Sequence, residues 1–476
     1  MRFFSFLLAL AATATARRVV SVDISKATPE QKGLDRRAFS ATLVNNRTAY
    51  FARVTVGTPP QPLTLHVDTG SSDLWVLAEG SDLCNSFRLQ QEWGYCFDTF
   101  DPEQSSTFET VGRGDFAIRY VDGTGSSGDY FTDNVGLGDG VTITNLQMGL
   151  AHEATSNWGM LGIGYTAAVA AAEPYPNIID LLLEQGQIPI KAYSLYLNDA
   201  SAQSGTILFG GIDTEKFIGE LQSIDVIPNN QTGLYDHFTV ALTSVTATSD
   251  SGITNLLASD SSPIEIILDS GTTLTYLPES MTAPLFRLVD AFDDTDGFTA
   301  TGLVYADCAL RSRTDLFLTY QFGGPTGPVI NVSAAEMIMD DLKPYIFSGG
   351  LILPSDIPWP NDRVCRMGVM TADHEPPYLV GDTFLRSAYV VYDLTNNVIA
   401  MAQSNVNATS SRVIEIPTNG TVPLVTGVAT PASQQTGSDE ENAAAGAVRP
   451  GLNWEVLGVA GMAGVFTLCG MGLFGL

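Results

Sequence analysis

Val67-Asp68-Thr69-Gly70-Ser71-Ser72 and Leu268-Asp269-Ser270-Gly271-Thr272-Thr273 stand 201 residues apart (269 − 68). In each, apolar residues run into an Asp, followed by a hydroxyl residue, a Gly and a second hydroxyl residue. Taken singly, Asp-Thr-Gly or Asp-Ser-Gly reads as a turn, because Asp and Gly supply the dihedrals a chain reversal needs. The pair reads otherwise, since each copy is followed by a second matching element. Met160-Leu161-Gly162 lies 94 residues after Asp68 (162 − 68), and Leu379-Val380-Gly381 lies 112 after Asp269 (381 − 269). An ordering that recurs over about half the chain marks an internal duplication. Two carboxylates in matching loops that meet face to face share one proton, because two anions in contact cannot both stay ionised.

Further segments extend the pattern. They are Val56-Gly57-Thr58-Pro59-Pro60-Gln61, His66 through Val76 (HVDTGSSDLWV), Ile118-Arg119-Tyr120, Leu208-Phe209-Gly210-Gly211-Ile212-Asp213, Ile267 through Pro278 (ILDSGTTLTYLP) and Val380 through Asp393 (VGDTFLRSAYVVYD). On these segments the chain resembles the pepsin-type aspartic proteases from about Tyr50 to about Gln403. Its two ends resemble the fungal GPI-anchored yapsin and candidapepsin groups.

The resemblance implies an all-β, bilobed acid-protease fold with the active-site cleft between two related β lobes. It implies an endopeptidase that hydrolyses peptide bonds at acidic pH by a water activated between Asp68 and Asp269. Protein or peptide substrates follow, with no cofactor, no metal and a monomeric enzyme. Thr69 and Ser270 are expected to cross-bond the two loops from beneath, and Ser71 and Thr272 to donate to the outer carboxylate oxygens. Gly70 and Gly271 let the loops approach, since a side chain there would crowd the pair. Tyr120 is expected at the tip of a flap hairpin, its phenol meeting the indole N–H of Trp75. Asp122, Gly123, Thr124 and Thr273 are expected along the substrate path. Val121 stands where many relatives have Gly.

Composition fits a globular body: of 476 residues, 45% are hydrophobic and 16% charged, long enough for two lobes. Residues 1–37 hold seven Lys/Arg against three Asp/Glu, and residues 443–476 one of each. That leaves 15 basic and 48 acidic residues between 38 and 442, a net charge of −33. Nucleic acid is excluded as a partner by sign, since phosphate binding needs a basic surface.

The ends read as addresses. Met1-Arg2, the apolar run Phe3–Ala12 and Ala14-Thr15-Ala16 form a signal peptide over 1–16. Residues 17–37 read as a propeptide. Six basic residues there (Arg17, Arg18, Lys26, Lys32, Arg36, Arg37) are set to mask an acidic cleft, with Lys26 or Lys32 as candidates to neutralise the Asp pair and Arg36-Arg37 as a processing site. The N-terminal lobe is expected over 38–221 and the C-terminal lobe over 222–404, with the crossover near 218–224. A Ser/Thr/Pro-rich stalk follows over 405–441. Small residues, a spacer and an apolar terminus over 442–476 form a GPI signal, with attachment at Asn442 and Ala444 or Gly446 as alternatives. No Lys or Arg follows the apolar tail, which counts against a spanning helix.

Cys469 lies in the discarded tail, leaving Cys84, Cys96, Cys308 and Cys365, for which the sequence permits three pairings. One pair per lobe, Cys84–Cys96 and Cys308–Cys365, is implied by proximity and by the family. Sequons stand at Asn46, Asn230, Asn331, Asn407 and Asn419. Alternating runs at Leu63–Val67, Val141–Ile143, Ser194–Leu197, Thr206–Phe209 and Ala388–Tyr392 predict strands. Asn177 is expected to cap a helix from Ile178 to Gln185, and a second helix is expected after Pro278, through Leu285, Leu288 and Phe292.

His152-Glu153 lacks a second His for a metal, and Gly162 through Ala167 is a weak match to a dinucleotide fingerprint. Asp122 near the flap favours basic residues at the substrate position before the cleaved bond. The competing class is a non-catalytic wall-binding or adhesion protein that keeps the fold. Loss of either Asp, Ser71, Thr272 or Tyr120 would mark it, and none is lost.

Overall fold

The computed structural model describes residues 18–26 and 49–429, apart from 122, 139, 297–299, 341, 373–375 and 419. The signal peptide, Lys32, Arg36-Arg37, Asn46, Asp122, Asn419 and Asn442 lie outside the described residues.

Strands dominate, and the two Asp motifs end equivalent ones. In the first lobe the strand Gln61–Asp68 pairs antiparallel with Tyr50–Val56 and runs parallel to Gly159–Gly162, placing Asp68 opposite Gly162. Leu74–Leu77 then returns beside Gly159–Gly162 in the antiparallel sense and runs parallel to Val141–Ala154. The second lobe repeats this. Ile264–Leu268 runs parallel to Tyr378–Val380, and Thr275–Leu277 returns antiparallel to that strand and parallel to Val369–Thr371. Each Asp loop is therefore threaded past the apolar-Gly element that follows it in sequence. The backbones come so close that a Cβ on Gly162 would lie 2.6 Å from the Asp73 carbonyl oxygen, and one on Gly381 2.1 Å from that of Thr272. Only glycine permits that approach.

A shared sheet joins the lobes. Its strands run in the order Phe217–Asp225, Val398–Ser404, Ala388–Asp393, Ala192–Tyr196, Ser204–Phe209, Val20–Lys26 and Tyr50–Val56. Period-two alternation gives it two apolar faces. Tyr193, Leu195, Val390, Tyr392 and Met401 belong to the main core, with Val67 and Leu268 that lead into the two Asp residues. Tyr196, Tyr389, Val391 and Ala402 face a second cluster on the opposite side.

Three assignments differ from the sequence reading. First, part of the segment read as propeptide is a buried strand. Val20–Ser25 pairs with Ser204–Phe209, Ile24–Lys26 pairs with Tyr50–Ala52, and Val20, Val22 and Ile24 are buried. Second, residues 405–429 are no stalk. Val413–Glu415 pairs with Gly211–Asp213, Ile218 bridges Val428, and Ile416 and Val422 fill the second cluster. Ser/Thr/Pro composition hid a sparse set of apolar anchors. Third, Phe292 is not helical. The helix Glu279–Val289 stops at Asp290 in the left-handed region (φ 53°), and Phe292 opens a strand opposite Tyr305.

The helix Ile178–Glu184 forms as its cap predicts. Asn177 Oδ1 accepts from the N–H groups of Ile179 and Asp180, and Asp180 Oδ2 accepts from the Asn177 N–H at 3.0 Å. The disulfides are Cys84–Cys96 and Cys308–Cys365, one in each lobe. Among the described residues no helix is long and apolar enough to cross a membrane.

Candidate active site

The two Asp loops meet, and their hydroxyl residues lock them together with two-fold regularity. The Thr69 N–H donates to Ser270 Oγ (3.2 Å), and the Ser270 N–H donates to Thr69 Oγ1 (2.9 Å). Each hydroxyl then donates across the interface: Thr69 Oγ1 to the Leu268 carbonyl (3.0 Å), Ser270 Oγ to the Val67 carbonyl (3.1 Å). All four contacts are buried, so breaking one leaves a polar group without water. That holds the carboxyls in fixed register.

Above this lock, Gly70 N–H donates to Asp68 Oδ1 (2.7 Å) and Gly271 N–H to Asp269 Oδ1 (2.8 Å). Ser71 Oγ donates to Asp68 Oδ2, and Thr272 Oγ1 to Asp269 Oδ2 (2.6 Å). The carboxyls are in near contact: a Cβ on Gly70 would lie 2.6 Å from Asp269 Oδ1, and one on Gly271 2.3 Å from Asp68 Oδ1. Burial, and then the neighbouring Asp269 carboxylate, push the Asp68 carboxyl up to about 8. The pair therefore keeps one proton over a wide pH range.

Over it lies the hairpin of Glu109–Arg119 and Gly125–Gly138. Its turn is closed by the Tyr120 N–H donating to the Thr124 carbonyl (2.8 Å) and the Gly123 N–H to the Tyr120 carbonyl (3.0 Å). Gly123 takes φ +84°, which favours glycine. Trp75 Nε1 donates to the Tyr120 hydroxyl at 2.7 Å. Val121 projects from the tip, 82% exposed. Thr273 is buried on the second Asp loop.

Several supporting residues escape sequence reasoning. Asp73, wholly buried, accepts from the hydroxyls of Tyr130 (2.9 Å) and Tyr175 (2.7 Å) and the Ala170 N–H (2.7 Å), tying the hairpin and the 165–175 loop to the first Asp loop. Burial raises its pKa. Asp382 is buried with neither carboxyl oxygen hydrogen-bonded among the described residues, and burial raises its pKa well above the carboxylate range. Arg386 pairs with Glu336 beside it. The tight apolar setting of these acids is the only sequence signal, and it does not single them out.

Lys26 does not reach the Asp pair. Its ammonium donates to the carbonyls of Asp199 (3.0 Å) and Ala200 (2.8 Å), and burial lowers its pKa to about 8. Asn230 and Asn331 are exposed, while the Asn407 amide donates to Asp199. His152 pairs with Asp129 at 3.1 Å, and among the described residues no cluster of His, Cys, Asp and Glu has metal-binding geometry.

A lock of paired hydroxyls under two abutting carboxyls, roofed by a tyrosine hairpin between duplicated β lobes, defines an aspartic protease. The chain belongs to that family: the eukaryotic aspartyl protease model matches residues 49–404. It is 39% identical to the probable aspartic-type endopeptidase opsB of Aspergillus oryzae, over 87% of this chain and 82% of the relative. It is 33% identical to secreted aspartic protease 8 of Candida albicans, over 80% of this chain and 82% of that protein. The fold is similar to that of the Irpex lacteus aspartic proteinase, with TM-score 0.59 and 22% identity over 83% of this chain and all of the other. The chain is an aspartic-type endopeptidase of the pepsin family.

Proposed function

We propose that Asp68 and Asp269 are the catalytic pair of a secreted, GPI-anchored endopeptidase that processes or sheds cell-surface and wall proteins at acidic pH. The observation that carries the catalytic reading is the near contact of the two carboxyls, of which Asp68 is pushed up by burial and by the Asp269 carboxylate beside it. The ionised carboxylate takes a proton from water as the water oxygen attacks the peptide carbonyl. The protonated partner gives its proton to the carbonyl oxygen, so a neutral gem-diol forms without a metal. Its collapse breaks the C–N bond, and a carboxyl proton passes to the departing amine. Thr69 and Ser270 hold the geometry, while Ser71, Thr272 and the Gly70 and Gly271 N–H groups stabilise the charge.

Tyr120, with Trp75, Gly123 and Thr124, closes over the substrate and excludes water. Thr273 and Asp122 belong to the same path, and Asp122 supports a preference for Lys or Arg before the cleaved bond. Secretion and anchoring rest on the sequence of the two ends and on the secreted Candida relatives. Cleavage of a peptide library at pH 4–6, with and without pepstatin, tests activity and specificity together. Asp68→Asn and Asp269→Asn should each abolish cleavage at every pH; retained cleavage sinks the two-carboxylate mechanism. Hydrophobic residues throughout the position before the cleaved bond would end the basic preference.

A further inference from the structure

Asp73 follows Asp68 by five residues (73 − 68) and comes just before the strand Leu74–Leu77. Its carboxyl collects three donors from two other elements. Oδ1 accepts from the phenols of Tyr130 on the hairpin (2.9 Å) and Tyr175 on the 165–175 loop (2.7 Å), and Oδ2 from the Ala170 N–H (2.7 Å). Asp73, Tyr130 and Tyr175 are all buried, so no water can replace a lost partner. A carboxylate accepts all three donors. An asparagine has one acceptor oxygen: pointed at the phenols, it sets its NH2 against the Ala170 N–H; turned round, it leaves both phenols without their shared acceptor.

Rings carry this anchor to the flap tip. Tyr175 packs edge-on against Tyr130 (5.5 Å), Tyr130 edge-on against Phe116 on the other hairpin strand (5.4 Å), and Phe116 against Trp75 (6.2 Å). Trp75 in turn holds the Tyr120 hydroxyl. The run has little slack, since a Cβ on Gly149 would meet the Phe116 ring at 2.6 Å. Burial first, then the Asp68 and Asp73 carboxylates, push the Tyr120 phenol up, which places Asp73 close to the tip it would steady. The near end of the 165–175 loop is already fastened to the first Asp loop. Ile163 N–H donates to the Asp68 carbonyl (2.9 Å), Gly164 N–H to that of Ser71 (2.8 Å), and Ser72 Oγ to that of Tyr165 (2.6 Å). Asp73 secures what lies beyond.

We propose that Asp73 is a positioning residue for peptide cleavage, whose carboxyl sets the hairpin, and through Phe116 and Trp75 the Tyr120 hydroxyl, over the Asp pair. This rests on the reading above in which Tyr120 closes over the substrate. Asp73 acts only through these rings. Without it the Asp pair keeps its own lock, made by Thr69 and Ser270, but the roof above it shifts. A displacement of about 1 Å at a reacting centre can cost on the order of 100-fold in rate.

The test measures kcat/KM of the full chain at pH 6 on one peptide from the library profile, at a temperature where urea unfolding shows each variant folded. Asp73→Asn should lower kcat/KM by about ten-fold or more. Tyr130→Phe removes one donor and should lower it about five-fold. Added to Asp73→Asn, it should cost less than about two-fold more, because both changes act on one route. The Trp75 indole peak in a proton–nitrogen NMR spectrum, assigned by its loss in Trp75→Phe, should shift in both variants. A residue that only stabilised the fold would leave that peak in place. Unchanged kcat/KM in folded Asp73→Asn overturns the inference, as do fully additive losses in the double variant. Should Asp73→Asn fail to fold, Tyr130→Phe decides alone, and an unchanged rate or an unmoved indole peak overturns the inference. Tyr120→Phe separates the two readings. If it leaves cleavage unchanged, the closure reading falls and this inference with it. If it slows cleavage while Asp73→Asn and Tyr130→Phe do not, this inference alone falls.

Discussion

His66 makes a contribution to stability that is lost in acid, in an enzyme read as working in acid. Its ring lies in an aromatic cluster with Phe51 (5.3 Å) and Trp158 (5.9 Å), and Nε2 has no hydrogen-bond partner among the described residues. Burial pushes the imidazole down to about 4 from its ordinary 6.5. A folded pKa below the unfolded one means that the unfolded chain takes up the proton first. The contribution is complete above pH 6.5 and lost as pH falls through about 4. At about 1.4 kcal/mol per pH unit, that window removes about 3 kcal/mol. Asp68 has the opposite sign: its raised carboxyl contributes fully below pH 4, and that is lost as pH rises through about 8. The raised carboxyls of Asp73 and Asp382 act in the same direction as Asp68, so the imidazole slope between 4 and 6.5 opposes theirs.

His66→Leu isolates the first limb. The Asp68→Asn background prevents self-digestion and removes the Asp68 slope, and the slopes of the other raised carboxyls are common to both proteins and cancel in the difference. Urea unfolding followed by tryptophan fluorescence, with Trp158 beside the site, gives the stability difference at pH 3.5 and at pH 7.5. Any packing cost of leucine is the same at both values and cancels. The variant should gain about 3 kcal/mol relative to its parent on going from pH 7.5 to 3.5. A difference that does not change with pH refutes a neutral buried imidazole.

Gly271→Ala should lower kcat by about 100-fold or more with circular dichroism unchanged, because the new Cβ displaces the Asp68 carboxyl, whose Oδ1 it would meet at 2.3 Å. Replacing Cys308 and Cys365 by Ser opens a link of sequence separation 57 and should cost up to about 4 kcal/mol, read as a fall in Tm. Tyr120→Phe removes the acceptor of the Trp75 indole N–H and should reduce kcat/KM by about five-fold, a loss of about 1 kcal/mol. Val22→Asp buries an unpaired carboxylate in the shared sheet and should destabilise by more than about 3 kcal/mol; unchanged urea unfolding would show that the segment before Arg37 is no part of the folded body.

The local chemistry of this protein was legible in its residues. Asp, hydroxyl, Gly and hydroxyl in that order leave few roles open, and their duplication with Gly162 and Gly381 implies two loops that approach. The Asn177 cap and the alternating strands are likewise short-range, because capping and pleat depend on near neighbours. What the sequence hid depends on contacts between distant segments. Val20–Lys26 reads as a basic leader, yet its three alternating aliphatics find partners in strands about 30 and 180 residues away (50 − 20; 204 − 20). Ile416 and Val422 are too sparse to announce a packed strap until Tyr389 and Val391 are brought beneath them. His66 looks like an ordinary member of a strand and Asp73 like an ordinary loop acid; burial is the largest cause of what their protons do.

The sequence by itself determined the two lobes, the paired acids and the residues that support them, since each follows from side-chain type and local order. The tertiary structure decided which parts of the leader and tail segments pack into the body and which titratable groups lose water. Those are matters of burial and of facing surfaces, and both exist only once residues far apart in the chain have been packed together.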